Sequence, residues 1–309
     1  MIERVYSLSP WFKTMNNSHI ATENDYGFPV KIPESYLASI SSSPEVLSQF
    51  LPSHLEHISS GKLDPLEEDA CMVIPGVLHK YHGRILLTLT QACAVHCRYC
   101  FRRHFDYQHA NPFKYLPEIE EYIRHQTSIH EIILSGGDPL MLSNDKLDKV
   151  LSRLTQFKHI QTIRLHTRIP IVKSSRIDNY ILSLPKKYDQ WRWVAVLHIN
   201  HPREWTTENK QTIQAMHQNQ FTLLNQSVLL KNVNDELQTL IKLSHSLWQN
   251  NVLPYYLHLF DPVQNAMHFA VKKHEALTLY HELKNHLPGY LVPKLAQEIP
   301  KDKHKKCYE

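Results

Sequence analysis

Short, strand-like apolar runs recur along this chain, separated by amphipathic stretches whose apolar positions fall three or four residues apart. The runs are 85–90 (ILLTLT), 131–135 (EIILS), 162–168 (TIRLHTR), 193–199 (WVAVLHI), 222–230 (TLLNQSVLL) and 253–260 (LPYYLHLF). From the second onward they return about every thirty residues, the length of one strand–helix unit. Helices are predicted over 114–127, 144–156, 204–218, 233–249 and 268–286. In 233–249, Val233, Leu237, Leu240, Ile241, Leu243 and Leu247 keep near-helical spacing, and Asn232 is a candidate N-cap. The pattern predicts an α/β fold: six strand–helix units whose parallel sheet curls into a partial, TIM-like (β/α)6 barrel over 81–290. Residues 1–80 lack strand alternation, carry Ser/Pro-rich joints at Ser41–Pro44 and Leu51–Ser53, and are predicted to be a mostly helical region. A β-like piece at 290–296 leads into a C-terminal segment, 291–309.

Composition narrows this only a little. The 309 residues suit one α/β barrel, and 42% hydrophobic content is ample for a core. The net charge of +4 mixes both signs, so it gives no nucleic-acid footprint. The chain shows no secretory leader and no long apolar run for a membrane. A reduced, cytoplasmic setting is expected, in which clustered thiols mean metal rather than crosslinks.

The chemistry concentrates after the first strand, in Gln91-Ala-Cys-Ala-Val-His-Cys-Arg-Tyr-Cys-Phe-Arg-Arg103. Cys93, Cys97 and Cys100 are spaced C-x3-C-x2-C. Three thiolates on one loop can hold three irons of a [4Fe–4S] cluster and leave the fourth open, whereas electron-transfer clusters take four cysteines. The competing uses are a disulfide and a structural zinc site, which needs a fourth ligand such as His96 or a distant group.

Ligands in parallel α/β sheets sit at the carboxyl ends of strands. The second strand ends in Ser135-Gly-Gly-Asp-Pro139, which uses two of only seven glycines. A tight turn is one reading; close backbone approach to a ligand is the other. Later strands end in Arg164, His166 and Arg168, in His198 and Asn200, and in Asn225, Gln226 and Ser227. Polar groups facing inward there are costly unless paired, by a ligand or by one another.

The cysteine spacing, its place after a strand and the Gly-Gly one unit later resemble the radical S-adenosylmethionine (SAM) superfamily. Five blocks narrow the likeness: His79–Leu87, Cys100–Phe105, Leu134–Leu140, Gln226–Leu230 with Asn234-Asp235, and Tyr256–Asp261. They resemble lysine 2,3-aminomutases, and most closely the shorter subfamily that makes β-lysine for modification of elongation factor P. The likeness runs from about residue 27 to Lys305.

The resemblance implies a radical SAM barrel, a [4Fe–4S] cluster on the three cysteines, SAM, and pyridoxal phosphate (PLP) that carries the substrate amine. Ser135, Gly136, Gly137 and Asp138 would take the SAM amino end, with His198 and Gln226 nearby. Arg102 matches the arginine for the substrate carboxylate, and Lys80 and Arg84 match basic residues for the PLP phosphate. Lys80 stands where the family has arginine. The PLP lysine falls at Lys305, with Lys303 and Lys306 one small register error away, and the family's glycine-rich stretch before it is missing. Asp261 and Glu298 match the carboxylates for the ε-ammonium, which argues against an acidic amino acid such as glutamate. The implied reaction turns L-lysine into (R)-β-lysine. An electron donor such as flavodoxin would feed it, and an elongation factor P ligase would take the product. A short tail favours that subfamily, and a homo-oligomer is compatible with it. The rivals are an aminomutase of another amino acid and a non-catalytic zinc-binding protein.

Overall fold

The structure, a computed structural model, describes residues 27–58, 60–107 and 109–309. The strands are β1 (Met72–Ile74), β2 (Val77–Tyr81), β3 (Arg84–Thr90), β4 (Glu131–Gly136), β5 (Thr162–Thr167), β6 (Arg192–Leu197), β7 (Thr222–Val228), β8 (Leu253–His258), β9 (Lys294–Gln297) and β10 (Lys306–Tyr308). They form one sheet in chain order. Pairing is parallel from β3 to β9 and antiparallel at both ends, β1–β2–β3 and β9–β10. The sheet does not close, so the fold is a partial barrel. In chain order, helices α1 (Glu34–Ile40) and α2 (Pro44–Leu47) precede it. The crossovers use α3 (Leu116–His125), α4 (Asn144–Leu154), α5 (Ile169–Val172) with α6 (Asn179–Lys187), α7 (Thr207–Gln218), α8 (Leu237–Gln249) and α9 (Lys273–His286).

The six strands predicted from the hydrophobic runs are β3–β8, and their burial explains the sequence pattern. Every residue of β4 is buried, as expected where helices cover one face and a barrel interior the other. Strand β5 alternates instead: Ile163, Leu165 and Thr167 are buried, while Thr162, Arg164 and His166 are half-buried on the opposite face. The main core joins β3–β7 to α3, α4, α6 and α7 through residues such as Leu87, Leu134, Leu147, Ile163, Trp193 and Ile213. No helix of the described residues is long and apolar enough to cross a membrane.

Several boundaries differ from expectation for local reasons. Beyond the predicted helices, residues before 81 contribute the β1–β2 hairpin; residues 1–26 lie outside the described residues. The expected boundary at residue 80 falls inside β2, which pairs with β3, so the first region shares the barrel's sheet. Asn232 adopts a left-handed φ of 60° and does not cap α8, which begins at Leu237 after Glu236. Helix α7 starts three residues later than predicted because Thr206 accepts from the Asn209 N–H, and Asn209 returns the bond to Thr206. The β-like piece at 290–296 splits into a turn at Gly289–Leu291 and strand β9, with Pro293, which has no N–H to donate, between them.

Leu134 is fully buried at the centre of the sheet. Leu134→Ala is expected to cost about 2–5 kcal/mol, read as a lower denaturant midpoint at unchanged m-value.

Candidate active site

A cavity of about 330 Å³ lies inside the open barrel, lined by the three cysteines, Ser135–Asp138, Lys80, Arg84, Arg102, His198, Gln226, Asp261, Glu298 and Lys305, whereas Asn200, Asn225 and Ser227 do not line it. The three cysteines follow the carboxyl end of β3. Arg84 opens that strand at the other end, so the cavity spans its length, about 20 Å.

The cysteine loop is held from two sides. Glu56, fully buried, takes Arg98 Nε at 2.8 Å and Nη2 at 2.5 Å, and Arg103 Nη2 at 3.0 Å. On the other side the glycine pair packs against the loop itself. Gly137 N–H donates to Thr90 O at 2.5 Å and Asp138 N–H to Ala92 O at 2.8 Å. A Cβ on Gly136 would meet Thr90 O at 2.4 Å, and one on Gly137 would meet Ala92 O at 2.5 Å. Close approach to the cysteine loop therefore requires both glycines. The Asp138 carboxylate accepts from Thr167 Oγ1 and from the N–H groups of Leu140, Arg168 and Ile169, which ties the ends of β4 and β5 together. Burial still pushes it up to about 6.

The three thiols feel one another. Burial and the neighbouring Cys100 raise Cys93, and burial with Cys97 pushes Cys100 up to about 11. Among the described residues no three His, Cys, Asp or Glu side chains converge on one metal ion. His96, the local candidate for a fourth zinc ligand, hydrogen-bonds Pro29 O at 2.8 Å and stacks on Phe28. A set of three mutually interacting thiols on a cavity wall, with Arg168 donating to Cys97 Sγ at 3.0 Å, fits a multi-iron cluster better than a single ion. His198 is half-buried; desolvation holds it low at about 3, hence neutral, and its Nε2 meets Tyr99 Oη at 2.8 Å. Gln226 faces the cavity from β7, in register with Tyr256 of β8.

Arg102 reaches Glu68 side-on, Nε to Oε2 at 2.7 Å and Nη2 to Oε1 at 2.6 Å. Its Nη1 donates to Ser135 Oγ at 3.1 Å and Gly136 O at 3.3 Å. Burial opposes its charge, yet Glu68 more than compensates and raises its pKa. The two long Nη1 bonds are the ones an incoming carboxylate can replace.

Toward the other end, Glu298 takes Lys305 Nζ at 2.5 Å, Lys80 Nζ at 2.6 Å and the Tyr81 hydroxyl. Burial would raise this carboxylate, but Lys305 and these bonds hold it at about 2. Lys80 also donates to Ile299 O at 2.8 Å, and Arg84 stacks on the Tyr81 ring. Of Lys301, Lys303, Lys305 and Lys306, only Lys305 lines the cavity. Strand β10 places it there, by pairing Lys306 with Gln297. A primary amine beside two further basic residues and an aromatic wall fits a phosphorylated aldehyde such as PLP. Asp261 differs from Glu298: among the described residues none hydrogen-bonds its carboxylate. Burial pushes it up to about 7 against the pull of Lys305, with Glu298 and Glu68 adding to the rise.

Sequence reasoning missed Glu56, Glu68 and Glu204. All three are carboxylates whose arginine partners lie more than thirty residues away in the chain. Only pairwise spatial knowledge could have found them.

Residues 87–243 match the radical SAM superfamily. The L-lysine 2,3-aminomutases of Haemophilus influenzae and of Buchnera aphidicola are each 40% identical over 287 residues. These matches cover 91% of this chain and 85% and 84% of those proteins. The Escherichia coli L-lysine 2,3-aminomutase is 42% identical over 279 residues, covering 88% of this chain and 81% of its own. With these proportions covered, the chain belongs to the L-lysine 2,3-aminomutase family, a family of isomerases within the radical SAM superfamily.

Proposed function

We propose that this protein moves the α-amino group of L-lysine to the β-carbon, giving (R)-β-lysine. Cys93, Cys97 and Cys100 would hold a [4Fe–4S] cluster, Ser135, Gly136 and Gly137 with His198 and Gln226 the SAM, and Lys305 the PLP. The observation that carries this reading is a single cavity with three cysteines at one end and Lys305 at the other. Bound together, the cofactors supply a carbon-centred radical and a π-system that stabilises it. The chain supplies position. Arg102 offers its charged Nη1 donors for the lysine carboxylate, and Asp261 an unpaired carboxylate for the ε-ammonium. Asp138 acts on the two strand ends, and Glu298 holds the Lys305 ammonium next to Lys80, whose charge with that of Arg84 suits a phosphate. A flavodoxin-like electron donor and delivery of the product to elongation factor P through a ligase rest on the sequence blocks alone, and a cytoplasmic setting rests on composition alone.

Anaerobically reconstituted protein is expected to hold about four irons per chain. Given L-lysine, SAM, PLP and a reductant, it should form β-lysine, and Cys97→Ala should abolish SAM cleavage. Stoichiometric zinc without iron would refute the proposal.

Borohydride reduction of the PLP-loaded protein should fix the cofactor on Lys305. Peptide mapping checks this, and label on Lys303 or Lys306 would displace the assignment.

The third expectation concerns pH. Asp261 titrates near 7, so it is neutral below that value and cannot pair an ammonium there. The KM for lysine should therefore fall as pH rises from 6 to 8, and Asp261→Asn should flatten that profile. Removing one partner of a desolvated charge pair costs about 2–5 kcal/mol, so KM in this variant should rise at least tenfold at pH 8. A wild-type KM independent of pH would place the ammonium elsewhere.

A further inference from the structure

The three cysteine sulfurs do not have equal surroundings. Cys100 takes a hydrogen bond from the backbone N–H of Arg102. Cys97 Sγ instead receives Nη1 of Arg168 at 3.0 Å. That guanidinium is buried at the end of β5 and lies over the Phe50 ring. Its Nη1 also reaches Tyr99 Oη at 2.6 Å, and its Nη2 reaches Gln49 Oε1 at 3.0 Å and Glu204 Oε2 at 2.6 Å. Glu204 is fully buried and is already served by Asn200 N–H at 2.8 Å, His201 N–H at 3.1 Å and Tyr36 Oη at 3.0 Å. With its carboxylate spread over these donors, Glu204 offsets the Arg168 charge only in part.

We propose that Arg168 is a positioning residue that raises the reduction potential of the cluster, by donating one charged N–H to the Cys97 sulfur, with Glu204 limiting the rise. The proposal rests on the assignment of the cluster to Cys93, Cys97 and Cys100. Reduction adds negative charge to the cluster and its sulfurs, and hydrogen bonds and nearby charge are the protein's means of setting that potential. A buried guanidinium acts strongly there because little water screens it. It also ties the cluster to the rest of the site, because Tyr99 links Arg168 to His198.

The test is an electron-paramagnetic-resonance redox titration of reconstituted protein without SAM, with iron content measured alongside. Arg168→Gln should shift the potential to more negative values, Arg168→Lys should shift it less in the same direction, and Glu204→Gln should shift it to more positive values. A purely structural role for the network would not give opposite signs. Unchanged potentials at full iron content, or shifts of one sign in Arg168→Gln and Glu204→Gln, would overturn the proposal. Wild-type protein carrying ¹⁵N-guanidinium arginine gives a reading independent of the variants. The reduced cluster should show hyperfine coupling to a guanidinium nitrogen, and absence of that coupling also overturns it. Wild-type protein without iron would instead defeat the cluster assignment itself.

Discussion

The Glu56 carboxylate, buried and shared between Arg98 and Arg103, is the contact on which the site depends. Both arginines belong to the cysteine loop, and Glu56 sits in a short turn before the first strand. An ion cluster this deep in the protein is costly to assemble and more costly to leave half-made. Its value here is positional. The loop that presents the three sulfurs buries Ala94, Val95 and Tyr99, and charge-assisted bonds with fixed fork geometry add to that anchoring. The opposite side of the loop is fixed by backbone contact with the Gly136–Gly137 pair, which makes the cysteine run and the end of β4 a single unit.

A second constraint is charge balance inside the cavity. Arg102, Lys80 and Lys305 each face a carboxylate already in place, Glu68 for the first and Glu298 for the other two. Among the carboxylates lining the cavity, Asp261 alone has no hydrogen-bonding partner among the described residues, and burial raises its pKa. In the proposed reading an incoming lysine would complete this pattern, its carboxylate meeting Arg102 Nη1 and its ammonium meeting Asp261. Selection of a long, doubly charged amino acid would then rest on the separation between the Arg102 Nη1 donors and the Asp261 carboxylate.

What the sequence revealed and what it hid follow from range. Strands β3–β8 were legible because at least one face of each packs inward, which writes continuous or alternating apolar runs. The cysteines were legible because their spacing is local. The reason for the glycine pair was only half legible: backbone approach is indeed required, but to the cysteine loop. Arg168 was noticed as a polar strand end, yet its bond to Cys97 joins residues 71 positions apart. Asn232 misled because a good N-cap residue is equally at home at positive φ, and there it turns the chain before α8 begins.

The lysine-rich tail was the least legible part, since charged runs ordinarily mean a solvated end. Here Lys306–Tyr308 forms the edge strand β10, and lysine is a residue that sheet edges favour. The register with β9 is held by three pairs and by Tyr308 Oη donating to Gln297 Oε1 at 2.6 Å. Side chains alternate along a strand, so a slip of one residue would turn Lys305 away from Glu298. The turn that brings the chain back contains no glycine; Lys301 takes a left-handed φ of 66° instead. That conformation is strained for a side chain with a Cβ. It persists because the Lys305–Glu298–Lys80 bridge, joined by Tyr81, closes the hairpin onto β2. The same bridge that neutralises the basic end of the cavity thus fixes which tail lysine enters it.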